Sequence, residues 1–130
     1  MLDHDIVKQL RRIVGPDFHA VFEADRCVRL DLTEPTFPHY GLLRQASRAQ
    51  RREAMELICR LDALRALNLR RSVLRELPDS IANLTQMEEL GLGSNYLGQV
   101  PPGLAAMRRL RVLGMSNCDL TTVPDFLAGR

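Results

Sequence analysis

The stretch LRALNLRRSVLRELPDSIANLTQ, residues 64–86, runs directly into MEELGLGSNYLGQVPPGLAAMRR, residues 87–109, and LRVLGMSNCDLTTVPDFLAGR, residues 110–130. Aligned, the three carry apolar residues at the same offsets: Leu64, Leu67, Leu69, Leu74 and Leu77, then Met87, Leu90, Leu92, Leu97 and Val100, then Leu110, Leu113, Met115, Leu120 and Val123. A proline follows in each copy (Pro78, Pro101, Pro124), and beyond it come Ile81 and Leu84, Leu104 and Met107, and Leu127. The starts lie 23 residues apart, twice, and a fixed period of this size marks a stack of like units. In each unit the alternating apolar pair predicts a short strand with one face inward. The proline ends that strand and begins a return segment, a short helix or 3₁₀ turn.

Between the strand and the proline stands Asn95 in the second unit, Cys118 in the third and Ser72 in the first. An amide at this position satisfies backbone groups where the chain turns; a serine does so less fully. The combined pattern, L-x-x-L-x-L-x-x-(N/C)-x-L, resembles the leucine-rich-repeat family. The resemblance implies an α/β solenoid, with short parallel strands on a concave face and helices or 3₁₀ turns on a convex one. The Leu-Pro-x-x-Ile/Leu ending is similar to the intracellular, bacterial subclass of that family. Gln99-Val100-Pro101 falls one residue short of the plant-receptor form.

Upstream, CVRLDLTEPTF reads as a degenerate unit, with Leu30, Leu32 and Phe37 in apolar slots and Pro35 in place of the asparagine. Leu30 and its equivalent Leu67 are 37 residues apart, so this unit carries extra chain. The excess, rich in helix formers and free of Gly and Pro after Gly41, predicts one long helix over about Tyr40 to Arg60. On its wheel Leu42, Leu43, Ala46, Ala54, Leu57, Ile58 and Leu61 share one side and Arg44, Arg48, Arg51 and Arg52 the other. Ahead of this unit, HDIVKQLRRIV reads as a helix ended by Gly15-Pro16, and FHAVFEADRCVRLDL as two extended segments joined near Ala24-Asp25. A helix and hairpin of this kind cap the end of a stack. The expected organisation is one domain over residues 1–130, with the cap at 1–27, the degenerate unit at 28–63 and regular units at 64–86, 87–109 and 110–130.

Composition narrows the function. With 18 basic and 16 acidic side chains in 130 residues and charges interrupting every apolar stretch, no run reaches the ~18 apolar residues that a membrane-spanning helix needs. The N-terminus is charged and lacks the pattern of a secretory signal, so a cytoplasmic protein without a membrane association is expected. Cys27, Cys59 and Cys118 are widely spaced, with no C-x-x-C pair, and read as buried free thiols rather than disulfides or metal ligands. No metal and no cofactor is expected.

In the family it resembles, the non-apolar strand positions line the concave face and bind a protein or peptide. By that pattern the candidates here are Arg29, Asp31 and Thr33; Arg65, Asn68 and Arg70; Glu88, Gly91 and Gly93; and Arg111, Gly114 and Ser116, with Ala66, Glu89 and Val112 flanking them. The stripe Asp31, Asn68, Gly91, Gly114 shrinks from polar side chains to none, and glycine in a strand marks close approach of another backbone or simply relaxed packing.

Other chemistry is thinner. Residues 44–75 hold nine Arg against Glu53, Glu56 and Asp62, which suits an anionic partner such as RNA. No aromatic residue interleaves with them in the sequence for base stacking, so a solvated helix face is the preferred reading and nucleic acid a minor one. Gly91-Leu92-Gly93-Ser94-Asn95 lacks the Gly-Lys-Ser/Thr ending of a phosphate loop. His4, His19 and His39 have no nucleophile signature near them, and no catalytic domain fits the remaining chain. The expectation is a non-catalytic protein-interaction module, with a regulatory piece of a larger protein, or an anion-binding module using the arginine-rich helix, as alternatives. A last expectation concerns Arg111, Val112, Met115 and Leu120, near an open final strand edge. Such an edge is a template for pairing, and a homodimer through it is the predicted assembly.

Overall fold

The computed structural model describes residues 2–36 and 40–118. The chain opens with helix α1 (Asp3–Val14), followed by strands β1 (His19–Glu23) and β2 (Arg26–Asp31), then helix α2 (Arg48–Ile58) and three short strands, β3 (Ala66–Asn68), β4 (Glu89–Gly91) and β5 (Val112–Gly114). They form one mixed α/β architecture with a five-stranded sheet in the order β1-β2-β3-β4-β5. The hairpin β1–β2 is antiparallel and the remaining pairs are parallel. Ala24, at φ 54°, makes the hairpin turn.

Sheet register follows the 23-residue spacing. Leu30, Leu67, Leu90 and Leu113 are aligned across four strands, and the first three are almost wholly buried. Leu32, Leu69 and Leu92, two residues on, are fully buried. Each of the six buried leucines stabilises the fold by roughly 1.5–3 kcal/mol through removal from water; Leu113 is only partly buried. The return segments are single 3₁₀ turns, Asp79–Asn83 after Pro78 and Pro102–Ala106 after Pro101. Their inward residues Ile81, Leu84, Leu104 and Met107 close the core from behind. One apolar cluster thus extends from Ile6 and Leu10 of α1 to Leu110.

The N-terminal helix and the hairpin after it are present as expected. Helix α1 buries Ile6, Val7 and Leu10, and Gly15 ends it at φ 89°, a conformation that glycine adopts without strain. Buried Asp3 ties the helix to the hairpin, accepting from the Cys27 backbone N–H at 2.9 Å and from Arg26 Nε at 3.1 Å. Strand β2 runs across the expected boundary between cap and first unit, and serves both the hairpin and the parallel sheet.

The long helix over Tyr40–Arg60 does not form. A 3₁₀ turn occupies Leu42–Gln45, the backbone is extended at Ala46 and Ser47, and α2 begins only at Arg48. The cause is local: Ser47 Oγ accepts from the Gln50 N–H at 3.1 Å while Gln50 Oε1 accepts from the Ser47 N–H at 2.9 Å, a reciprocal cap that sets the start of the helix. Leu42 and Ala46 are therefore half-buried rather than core, and Met55 joins the core instead. Upstream of the turn Thr33 is bridged to Gly41, and the Gly41 N–H donates to the Arg71 carbonyl at 3.1 Å. Gly41 lies so close to the next unit that a Cβ there would stand 2.3 Å from Ser72 Oγ and 2.4 Å from the Arg70 carbonyl. Phe37, assigned to an apolar slot of this unit, and Val123, Pro124 and Leu127 of the last lie outside the described residues.

Candidate functional site

Because successive side chains of a strand point to opposite faces, the residues flanking the buried leucines define the outward face of the sheet. Two rows cross it. Val21, Arg29, Ala66, Glu89 and Val112 are in register, and beside them run His19, Asp31, Asn68, Gly91 and Gly114. Thr33, Arg70, Gly93 and Ser116 continue the face where the chain leaves each strand.

This register corrects one row of the expected site. Arg65, Glu88 and Arg111 do not share the row of Arg29; Ala66, Glu89 and Val112 do. The reason is that the Arg65 carbonyl accepts from both Glu88 N–H and Glu89 N–H, and the Glu88 carbonyl from both Arg111 N–H and Val112 N–H, so each parallel ladder starts one residue later. Arg65, Glu88 and Arg111 form a rim instead, with Arg65 paired to Glu23 and Arg111 Nε 3.5 Å from Glu88 Oε1. On the face itself Arg29 reaches Glu89 at 3.3 Å. These exposed pairs contribute little to stability but fix where charge stands. His19 and Val21 of β1 extend the face beyond the residues named from the sequence. The alternation of the hairpin contained that signal.

The second row bares the backbone toward its C-terminal side. Asp31 Oδ1 accepts from the Thr33 N–H at 3.0 Å and Asn68 Oδ1 from the Arg70 N–H at 3.1 Å, so both polar side chains fold back on their own strand exits. Gly91 and Gly114 have nothing to fold back. Among the described residues a Cβ on Gly114 would meet only Gly91 Cα, at 3.9 Å, whereas one on Gly91 would come 3.1 Å from Asn68 Oδ1. The result is a shallow depression of about 490 Å³ over β2–β5, with half-exposed Val21 and Val112 at its two sides.

Behind the face a buried amide holds the turns together. Asn95 Oδ1 accepts from the N–H groups of Ser72 and Leu74, both at 3.0 Å, and Nδ2 donates to the carbonyls of Leu69 and Leu92 at 3.0 and 2.8 Å. Cys118, in the same slot one unit on, donates its thiol to the Leu92 carbonyl at 3.0 Å, and Ser72 its hydroxyl to Arg70 at 3.2 Å. Asn95 is thereby committed to structure, as its slot implied, and the Gly91–Asn95 segment presents no phosphate cradle.

No protein-family model and no curated protein matches the chain. Its function is therefore read from its own geometry.

The arginines are redistributed in space. Arg44 is off the helix and lies 4.0 Å over the Tyr40 ring, with Arg71 5.5 Å from the same ring, and Arg75 stands 5.5 Å from the Tyr96 ring. The absence of interleaved aromatics in the sequence is thus reversed by folding, which brings two tyrosines against three arginines. Arg48 and Arg52 are exposed on α2 and Arg51 is half-buried, donating to the Ala46 carbonyl at 2.5 Å. Among the histidines, His4 stacks on Phe22 with ring centroids 4.0 Å apart, His19 pairs in register with Asp31, and His39 lies outside the described residues. Of the expected dimer edge, Arg111 and Val112 are exposed and Met115 half-buried. Leu120 lies outside the described residues. No helix among the described residues is long and apolar enough to cross a membrane.

Proposed function

We propose that the chain is a leucine-rich-repeat protein, a short solenoid that acts without catalysis by binding a protein or peptide segment on the outward face of its sheet. The observation that carries this reading is the depression over β2–β5. It combines a side-chain-free floor at Gly91 and Gly114 with the Arg29–Glu89 ion pair, the charge of Arg70 and accessible Val112. A backbone laid there reaches the strands closely, and flanking side chains supply specificity. The 23-residue register, the parallel pairing of β2 to β5 and the Asn95 ladder support the family reading.

The test is selection of peptides from a random display library on the wild-type protein, with binding mapped by amide chemical shifts. Selected peptides are expected to move the resonances of Asn68, Gly91 and Gly114 and to lose binding to Gly114→Arg, whose added side chain fills the floor without a backbone clash. Peptides that bind Gly114→Arg normally would refute the assignment. The same reading makes β5, the last strand of the sheet among the described residues, the edge through which two copies pair. Light scattering at tens of micromolar protein is expected to show twice the 14.7 kDa chain mass, and a monomer overturns this part.

A further inference from the structure

A second cleft lies away from the strand face, between α2 and the segment that leaves β3. Its volume is about 430 Å³. The segment is held in an unusual shape. Val73 sits at φ 59°, a costly region for a β-branched residue, because the N–H groups on either side of it are both claimed by Asn95 Oδ1. That constraint points Arg75 and Val73 into the same cleft as Arg48, Arg51 and Arg52 of α2, although the two groups are separated by more than a turn of chain in sequence.

The charges in the cleft are unevenly satisfied. Of its carboxylates, Glu56 is hydrogen-bonded by Ser80 at 3.3 Å and Glu76 lies 3.8 Å from Arg52, leaving Asp79 on the rim. Arg48, Arg51 and Arg75 have no carboxylate within 4.0 Å among the described residues. Arg51 is braced by the Ala46 carbonyl and Arg75 by the Tyr96 ring, so two of the three cations are pre-positioned, which lowers the ordering cost of binding. The floor between them is apolar, formed by Met55, Leu74 and Leu77.

We propose that this cleft is a second binding site, for an acidic linear peptide that sets one aliphatic side chain on the Met55–Leu74 floor and its carboxylates against Arg48, Arg51 and Arg75. Two observations favour a peptide over a nucleic acid. Glu56, Glu76 and Asp79 around the cleft oppose a continuous phosphate chain more than a short peptide whose carboxylates are discrete, and no aromatic side chain among the described residues lines the cleft to stack a base. Guanidinium forks match carboxylates in bidentate geometry. The site is independent of the strand face, so each can fail alone.

The experiment is fluorescence anisotropy with the labelled peptide Glu-Glu-Leu-Glu-Glu, beside Gln-Gln-Leu-Gln-Gln, Glu-Glu-Ser-Glu-Glu and an oligothymidylate. Saturable, salt-sensitive binding of the first peptide is expected, weakened about tenfold by each of Arg48→Glu and Arg75→Glu and unchanged in Gly114→Arg. Thermal midpoints of both arginine variants near that of wild type confirm that they are folded, and either variant that is folded tests the site by itself: wild-type affinity in a folded Arg48→Glu or Arg75→Glu also overturns the proposal. Absence of saturable binding, equal binding of the glutamine or serine peptide, tighter binding of the oligothymidylate, or loss of binding in Gly114→Arg each overturn the proposal. The last of these outcomes would place the peptide on the strand face and leave that reading standing.

Discussion

Asn95 uses every hydrogen-bonding capacity its amide has: two lone pairs on Oδ1 and both hydrogens of Nδ2, all to backbone groups of two neighbouring units. Asn95→Ala leaves buried N–H and C=O groups without partners, and the expected cost is about 3 kcal/mol, read as a lower urea midpoint at unchanged slope. At Gly41 the constraint is space. The nearest obstacles to a Cβ include two backbone carbonyls, Arg70 at 2.4 Å and Arg71 at 2.8 Å, which cannot swing aside as a side chain would. Gly41→Ala is expected to destabilise by about 3 kcal/mol in the same assay. The thiols of Cys27 and Cys59 are each pushed up to about 11, chiefly by burial, with Asp3 adding to the first and Glu56 to the second. A thiol that ionises later in the folded than in the unfolded chain makes the unfolded state bind fewer protons at alkaline pH. Its stabilisation is complete below the unfolded value of about 8.5 and is lost as pH rises toward 11. Chemical denaturation at pH 8 and pH 10 is expected to show this fall, reduced in a Cys27→Ala, Cys59→Ala background.

Helix α2 shows how a cap overrides propensity. Its composition favours helix back to Tyr40, yet the Ser47–Gln50 pair offers two backbone-satisfying bonds at one point, and the chain upstream is extended there. Ser47→Ala removes the side-chain acceptor and is expected to lower stability by about 1 kcal/mol, with a fraying of the first turn visible as faster amide exchange at Gln50 and Arg51. The S-x-x-Q signature was present in the sequence, at Ser47 to Gln50, and a reading that weighed caps alongside composition reaches the observed start. The strands tell the converse story. Three residues long, they carry almost no intrinsic preference, and they exist because Leu67, Leu90 and Leu113 are held in register by the packing behind them.

Across the whole molecule the core is continuous, so damage in one unit reaches the others. Leu92 is fully buried in the middle unit and belongs to the single apolar cluster. Leu92→Ala is expected to cost about 2–5 kcal/mol, a large share of what a domain of this size possesses, and to shift a single thermal transition rather than split it. Two resolved transitions would show that the units melt separately.

The sequence alone determined the period, the strand positions, the prolines that turn the chain back and the slot filled by Asn95, because these depend on spacing and on the chemistry of single residues. It also placed Asp31, Asn68, Gly91 and Gly114 in one row, since the repeat offset carries that alignment. Tertiary structure decided what depends on neighbours distant in the chain. The shared carbonyls of Arg65 and Glu88, each accepting from two successive N–H groups of the next unit, and the pairing of Arg65 with Glu23 hold the charged residues before the strands at the rim of the face. The meeting of Arg75 with the α2 arginines, and of Tyr40 with Arg44 and Arg71, likewise required the fold, because ring stacking and charge clustering act through space over a few ångströms and leave no periodic trace in the chain.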